Sequence, residues 1–323
     1  MNNIYPSVAV LILNYNQWQM TIECVESVLK SDYPNYTIFL MDNGSHSTKD
    51  YEELKRLESK KCNVIRIEKN RGYGGGMNFG LQLAAEKNYD LFLVMNNDAI
   101  IAPNAIPSLV ETSQRYSNKC IVTGKVYHYN RPNVLQFIGY RILNPKTLKM
   151  QRLLSDETDN GQWDKEMEMD MIDDIFWLFP KDVYLQVGGY SPYFWFNAEQ
   201  ADLALRAVKI GNKLLYTPNA KLWHKGSITI GGRGNNPKLA YYNVQATLIF
   251  KFIHLSRLRF ILYYLKTCKN AIYSTLKFLI KKVLGKHADK DLITAQFKAI
   301  AYFNSWYITK KENDGKTPFD NEP

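Results

Sequence analysis

Apolar and polar positions along the first 116 residues fall into runs of two kinds. Residues 8–13 are an unbroken apolar run closed by Asn14-Tyr15-Asn16, the pattern of a strand buried on both faces. Residues 18–31 carry Met20, Cys24, Ser27 and Val28 at helical spacing and stop before Pro34. A second strand is predicted over 36–41, ended by Asp42-Asn43-Gly44-Ser45, a strong turn signal. A charged amphipathic helix over 48–60 and a third strand over 64–67 follow. The segment "NRGYGGGMNFG" reads as a glycine-rich loop opening a helix to about residue 87. "LFLVMNNDAI" holds the fourth strand, 91–95, and Pro103 stands where helices begin, predicting one to about residue 116.

Strand and helix thus alternate, which predicts a mostly parallel central sheet flanked by helices, a Rossmann-like α/β fold. In such sheets ligands bind outside the carboxyl ends of the strands. Four polar clusters stand at those ends: residues 14–16, 42–45, 70–78 and 96–98. One cluster is a turn; four at one edge describe a site. Beyond it, residues 128–170 lack a clear period and read as strands and loops over the sheet edge. "IFWLF" is apolar again. A helix is predicted over 199–209, stopped by Gly211, then two short strands. From 237 to about 310 the pattern is helical, so the chain divides at 235/236 into a sheet domain and a basic, aromatic-rich helical extension.

Composition is that of an ordinary globular protein, 46% hydrophobic and 22% charged over 323 residues. Four scattered cysteines form no CxxC pair, which argues against zinc and a disulfide framework and fits a reducing cytosol. No secretory leader is evident, and no apolar stretch is long enough to span a bilayer. The expectation is a cytoplasmic protein. The net charge of +10 is concentrated: after Asp202 the next acid is Asp289, with sixteen Lys and Arg between. That half wants an anionic partner. Nucleic acid is a poor candidate because no recognition motif accompanies the charge.

Each candidate residue has a structural and a chemical reading. Asp98 is either a turn or cap residue before Pro103, or a ligand for Mg2+ or Mn2+, which favour carboxylate oxygens and substrate phosphates. Asp42 is either an Asx turn or the acceptor for a nucleobase N–H. The glycine segment is not a dinucleotide fingerprint, because the spacing from Gly72 meets Met77 and the loop follows the third strand. Its glycines, with Asn70, Arg71, Gly72, Gly75 and Asn78, read as backbone brought close to a ligand.

These residues resemble a family. "VAVLILNYNQWQMTIECVESVLKSDYPNYTIFLMDNGSHS" is similar to the opening of family 2 glycosyltransferases of the GT-A fold, and nearest in pattern to the rhamnosyltransferase-like branch of bacterial surface-polysaccharide synthesis. "VMNNDAII" resembles that branch's DxD motif. "VGGYSPYFWFNAEQADLALRAVKIGNKLLYTPNAKLWHKGS" resembles its acceptor-side segment. The resemblance covers roughly residues 6–230. It implies a GT-A fold, a nucleoside-diphosphate sugar donor (dTDP- or UDP-linked) and Mn2+ or Mg2+. It implies donor contacts at Asn14, Tyr15, Asp42, Asn70, Arg71, Gly72, Gly75, Asn78, Asn96 and Asn97, with Asp98 on the metal and diphosphate and His224 near it. The implied acceptor is a saccharide or lipid-linked saccharide, with Trp195, Phe196 and Asp174 on its side.

The chain departs from the family pattern where the chemistry is most exacting. The family's Glu-Asp pair is Glu199-Gln200 here, and a glutamine accepts no proton at neutral pH. The base is then expected at Glu199, or at Asp202 three residues on and on the same helix face. Asp174 replaces a small glycine. An inverting glycosyltransferase is expected; the alternative is a GT-A-shaped binding or scaffold subunit without turnover. In the extension, apolar residues recur every three or four positions with lysines between. That pattern suits a packed helical subdomain or a peripheral helix on the anionic, cytoplasmic face of the inner membrane.

Overall fold

A computed structural model describes residues 5–153, 156–226, 236–285 and 290–320. The elements are, in order, β1 (Val8–Asn14), α1 (Trp18–Leu29), β2 (Tyr36–Asn43), α2 (Thr48–Lys55), β3 (Cys62–Ile67), α3 (Gly72–Glu86), β4 (Leu91–Asn96), β5 (Ala99–Ile101) and α4 (Ala105–Arg115). They continue with β6 (Cys120–His128), β7 (Arg131–Phe137), β8 (Gly139–Asn144), β9 (Lys149–Leu153), β10 (Glu157–Thr158), β11 (Met167–Glu168), β12 (Phe176–Pro180), α5 (Lys181–Val187), α6 (Glu199–Lys209) and β13 (Lys213–His224). Three long helices follow: α7 (Pro237–His254), α8 (Arg257–Val283) and α9 (Lys290–Thr309).

The chain forms two compact units. The first comprises Met1–Ile142, Met150–Ser191 and Gln200–Gly226 and contains the large sheet, with the path β10-β7-β6-β12-β4-β1-β2-β3. Strands β4, β1, β2 and β3 run parallel, in register Val8↔Tyr36, Val8↔Leu91 and Ile38↔Cys62. Beyond β4 the sheet is mixed: β12 is antiparallel to both β4 and β6. Strand β13 runs parallel to β6 and antiparallel to β5. The expected pair of short strands after Gly211 is one twelve-residue strand, its ladder interrupted between Tyr216 and Lys221.

The interior strands are as apolar as the sequence implied: every residue of β1 is buried. The glycine segment is the main departure. It is no loop but the first turns of α3, entered through Gly72 at φ +69°. Gly76 and Gly80, four residues apart, lie on one helix face. A Cβ at 76 would sit 2.7 Å from Leu13 Cδ1, and one at 80 would sit 2.5 Å from Met41 Sδ. The missing side chains let α3 pack close on β1 and β2. Helix α2 also ends earlier than its charge pattern suggested, because the Glu58 carboxylate leaves the helix to accept the Val64 N–H at 2.8 Å.

The second unit comprises Leu143–Lys149, Pro192–Glu199 and Ser227–Pro323. Its apolar cluster joins Tyr241 and Tyr242 of α7 to Ala295 and Ala299 of α9. Buried Lys251 donates to the carbonyls of Thr147 (2.6 Å) and Leu148 (3.1 Å), and burial lowers the pKa of its ammonium. Among the described residues, no helix is long and apolar enough to cross a membrane.

Candidate active site

Where the parallel strands end, their polar residues bond to one another. Asp42, at the end of β2, is fully buried. Its Oδ1 accepts from Asn14 Nδ2 at 2.9 Å and from the Ser45 hydroxyl, and its Oδ2 accepts from Arg66 on β3 at 2.8 Å. Three of about four acceptor directions are thus filled by protein. Asn14 Oδ1 accepts from the Thr21 hydroxyl of α1 at 2.8 Å, and that hydroxyl accepts from Asn97 Nδ2 at 2.8 Å. One hydrogen-bonded chain therefore runs from β3 to the end of β4. Tyr15 contributes its hydroxyl, 3.1 Å from His46 Nε2.

Asn70 and Arg71 form the entry to α3. Asn70 Oδ1 accepts from the Gly72 N–H (2.8 Å) and Asn43 Nδ2 (3.1 Å), while Arg71 is exposed, its guanidinium over Phe79. Gly75 lies against Arg71 Cβ. Asn78 is not at this edge cluster's centre: its amide clamps the Tyr190 backbone in both directions at 2.8 Å.

Asp98 follows β4 and is held beside His224 by backbone. The β5–β13 ladder pairs His224 with Ala99, and the Lys225 N–H donates to the Asp98 carbonyl at 2.9 Å. Both side chains are buried, with His224 Nε2 3.2 Å from Asp98 Oδ1. His224 Nδ1 lies 2.8 Å from Gln136 Oε1, which can only accept, so the neutral ring carries its proton on Nδ1. Nε2 then turns a lone pair toward a carboxylate and makes no hydrogen bond. Two buried lone-pair atoms so placed call for a proton or a cation between them; the pair offers two donors of the kind a divalent metal takes, and among the described residues no group of three or more His, Cys, Asp or Glu gathers around one point.

A second acidic pair stands at the same edge. Strand β12 pairs Phe176 with Met95, and the Asn96 N–H donates to the Ile175 carbonyl at 2.9 Å, so Asp173 and Asp174 immediately precede that pairing. Asp174 Oδ2 accepts from the Tyr190 hydroxyl at 2.8 Å, and Tyr190 stacks on Trp177. Burial, then the neighbouring Asp173 charge, pushes the Asp174 carboxyl up to about 7, against the lowering effect of the tyrosine hydrogen bonds. Burial also raises Asp173, opposed by the Tyr140 hydroxyl 3.2 Å away and by Arg152 and His224.

Of the expected base candidates, Asp202 is nearly inaccessible. Arg206 Nε donates to its Oδ2 at 2.8 Å, and the same guanidinium donates to the carbonyls of Val187 and Gly189. That arrangement fixes a loop. Glu199 is buried at the start of α6, directly after Asn197 and Ala198, both at φ +72°. Trp195 and Phe196 pack against the apolar cluster of the helical unit, Phe196 edge-on to Tyr242. Arg66, Thr21 and Gln136 were not expected. Arg66 had a signal, a charged residue inside a strand-like run; Gln136 had none, lying where the sequence shows no period.

Polar residues gathered outside the carboxyl ends of parallel strands stand where open α/β sheets bind ligands. Residues 9–178 match the family described as "Glycosyl transferase family 2", and the chain belongs to that family. It is 24% identical over 183 residues to the glycosyltransferase GlyG of Streptococcus pneumoniae, covering 56% of this chain and 58% of the relative. It is 24% identical over 238 residues to a poly-beta-1,6-N-acetyl-D-glucosamine synthase of Staphylococcus epidermidis, 70% of this chain and 51% of that one. The chain thus spans between half and three-fifths of these relatives' lengths. The crystal structure of GalNAc-T7 with UDP, GalNAc and Mn2+ superposes with a TM-score of 0.58 at 16% identity, over 77% of this chain and 50% of the other. The fold is GT-A, with C-terminal helices, in a chain that belongs to glycosyltransferase family 2.

Proposed function

We propose that this chain is an inverting glycosyltransferase: it moves a sugar from a dTDP- or UDP-linked donor, rhamnose first among candidates, to a hydroxyl of a saccharide or lipid-linked acceptor in surface-polysaccharide synthesis. The observation that carries the reading is the buried Asp98–His224 pair, with the lone pair of Nε2 facing a carboxylate at a ligand-binding sheet edge. These two residues would hold Mn2+ or Mg2+, which when bound offsets charge on a leaving diphosphate. Asn14, Tyr15 and Asp42 would border the base, with Asp42 offering its one remaining acceptor direction. Asn70, Arg71, Gly72, Gly75, Asn96 and Asn97 line the remainder of the donor side.

In the reaction the acceptor oxygen bonds to the anomeric carbon while the bond to the diphosphate breaks, and the acceptor proton passes to a protein base. Glu199 is the first candidate. Asp174 is the second, supported by a proton affinity near neutrality, where a general base works best. Asp202 is better cast as a positioning residue for α6. The scaffold reading retains one specific support, Gln200 at the usual base position.

The test is a thermal-shift and donor-hydrolysis series with nucleotide sugars and Mn2+. Wild type should be stabilised by at least one donor only when metal is present, and Asp98→Ala should lose that stabilisation. Equal stabilisation of wild type and Asp98→Ala would overturn the metal assignment. Turnover lost in Glu199→Gln but kept in Asp174→Asn fixes the base at Glu199; the opposite result fixes it at Asp174. Donor binding with no turnover across donor–acceptor pairs would leave the scaffold.

A further inference from the structure

We propose that the outer face of α8 docks on an anionic membrane surface. The helix is apolar on two opposite sides. Phe260, Tyr264, Thr267, Ala271 and Phe278 recur at helical spacing on the side packed against protein. On the other side Leu258, Leu262, Leu265, Ile272, Leu276 and Val283 repeat at steps of three, four or seven residues, each 54–86% exposed. At roughly 100° per residue, the two sets are centred about half a turn apart around the axis. The exposed stripe is about 40 Å long at 1.5 Å per residue. Uncovered apolar surface of that length marks an interaction site.

Charge selects the occupant. The helix carries seven Lys and Arg residues and no Asp or Glu. Arg259, Lys266 and Lys277 flank the stripe, and Lys269 interrupts it. The same seven-residue spacing suits the seam of a two-helix coiled coil. A second copy of α8 would bring seven more positive charges with no acid to pair them, and in a parallel seam Lys269 would face its counterpart. An anionic bilayer supplies both requirements at once: acyl chains for the leucines and phosphate headgroups for lysines that extend outward. Because the helix lacks the apolar length to cross a membrane, it would lie in the interfacial plane. This inference does not depend on the transferase reading.

The experiment is co-flotation of the full chain with phosphatidylglycerol-rich and pure phosphatidylcholine vesicles at low and high salt. The chain should float with the anionic vesicles and not with the neutral ones, and salt should weaken the association. Leu262→Ser with Leu276→Ser should lower vesicle affinity about tenfold or more, as should Lys266→Glu with Lys277→Glu, all with unchanged melting temperature because the four positions are exposed. Equal flotation with both lipids, or with neither, overturns the proposal. So does concentration-dependent dimerisation in sedimentation that the leucine variants abolish in the absence of vesicle binding.

Discussion

Asp174 is a carboxylate whose environment favours its neutral form. In the unfolded chain it titrates near the ordinary value of about 4 and in the fold at about 7. The folded protein therefore binds an extra proton between those values. The stabilising contribution is present below about pH 4 and is lost as pH rises through about 7. Asp174→Asn keeps an acceptor for Tyr190 and cannot ionise. It should be more stable than wild type at about pH 8, with the gap closing below about pH 4. Chemical denaturation across that range checks this; a gap independent of pH would mean the carboxyl is not raised. The placement of Asp42 and Asp98 at the ends of buried strands was legible from sequence, in the polar residues that close each apolar run. Asp174 was legible as a position but its raised carboxyl was not, since that comes from burial and the Asp173 charge, opposed by hydroxyls of Tyr190 and Tyr73 from separate segments.

Two elements store opposite kinds of constraint. The entry to α6 carries Ala198 at φ +72°, a conformation costing a residue with a Cβ about 1–2 kcal/mol. Ala198→Gly removes that cost and should raise stability by roughly 0.5–1 kcal/mol after the added freedom of the unfolded chain is counted. A fall in melting temperature would show that the alanine methyl packs productively. In contrast, Gly124 on β6 has no room: an added Cβ would stand 2.2 Å from the Ala220 carbonyl oxygen and 2.8 Å from Phe176 Cζ. Gly124→Ala should cost about 3 kcal/mol or more, measured by urea unfolding. Helix α3 teaches how element type can be misread. Gly72, Gly76 and Gly80 recur every four residues, a helical period, but glycine's weak helix propensity masked it. Proximity of α3 to β1 and β2 outweighs that propensity.

Across the whole chain, the parallel half of the sheet and the helical tail were readable because their periods are strong and local. The mixed half was not: β12 enters between β4 and β6 from more than fifty residues away, and such long-range pairing leaves no period in sequence. Nor does any local pattern announce that residues 143–149 and 192–199 group with the C-terminal helices.

The Thr21 hydroxyl sits midway between the two ends of the site, donating to Asn14 and accepting from Asn97. Its position joins the amide beside Asp42 to the amide beside Asp98 through one hydroxyl. Replacing Thr21 by the near-isosteric Val leaves both amides short of a partner while filling the same volume. In a double-mutant cycle on melting temperature with Asn97→Ala, the two losses should fall short of additivity by about 0.5–1 kcal/mol or more. Strict additivity would mean that the Thr21–Asn97 hydrogen bond contributes nothing to stability. Non-additivity would show that the two ends of this hydrogen-bonded chain are energetically coupled through one buried hydroxyl.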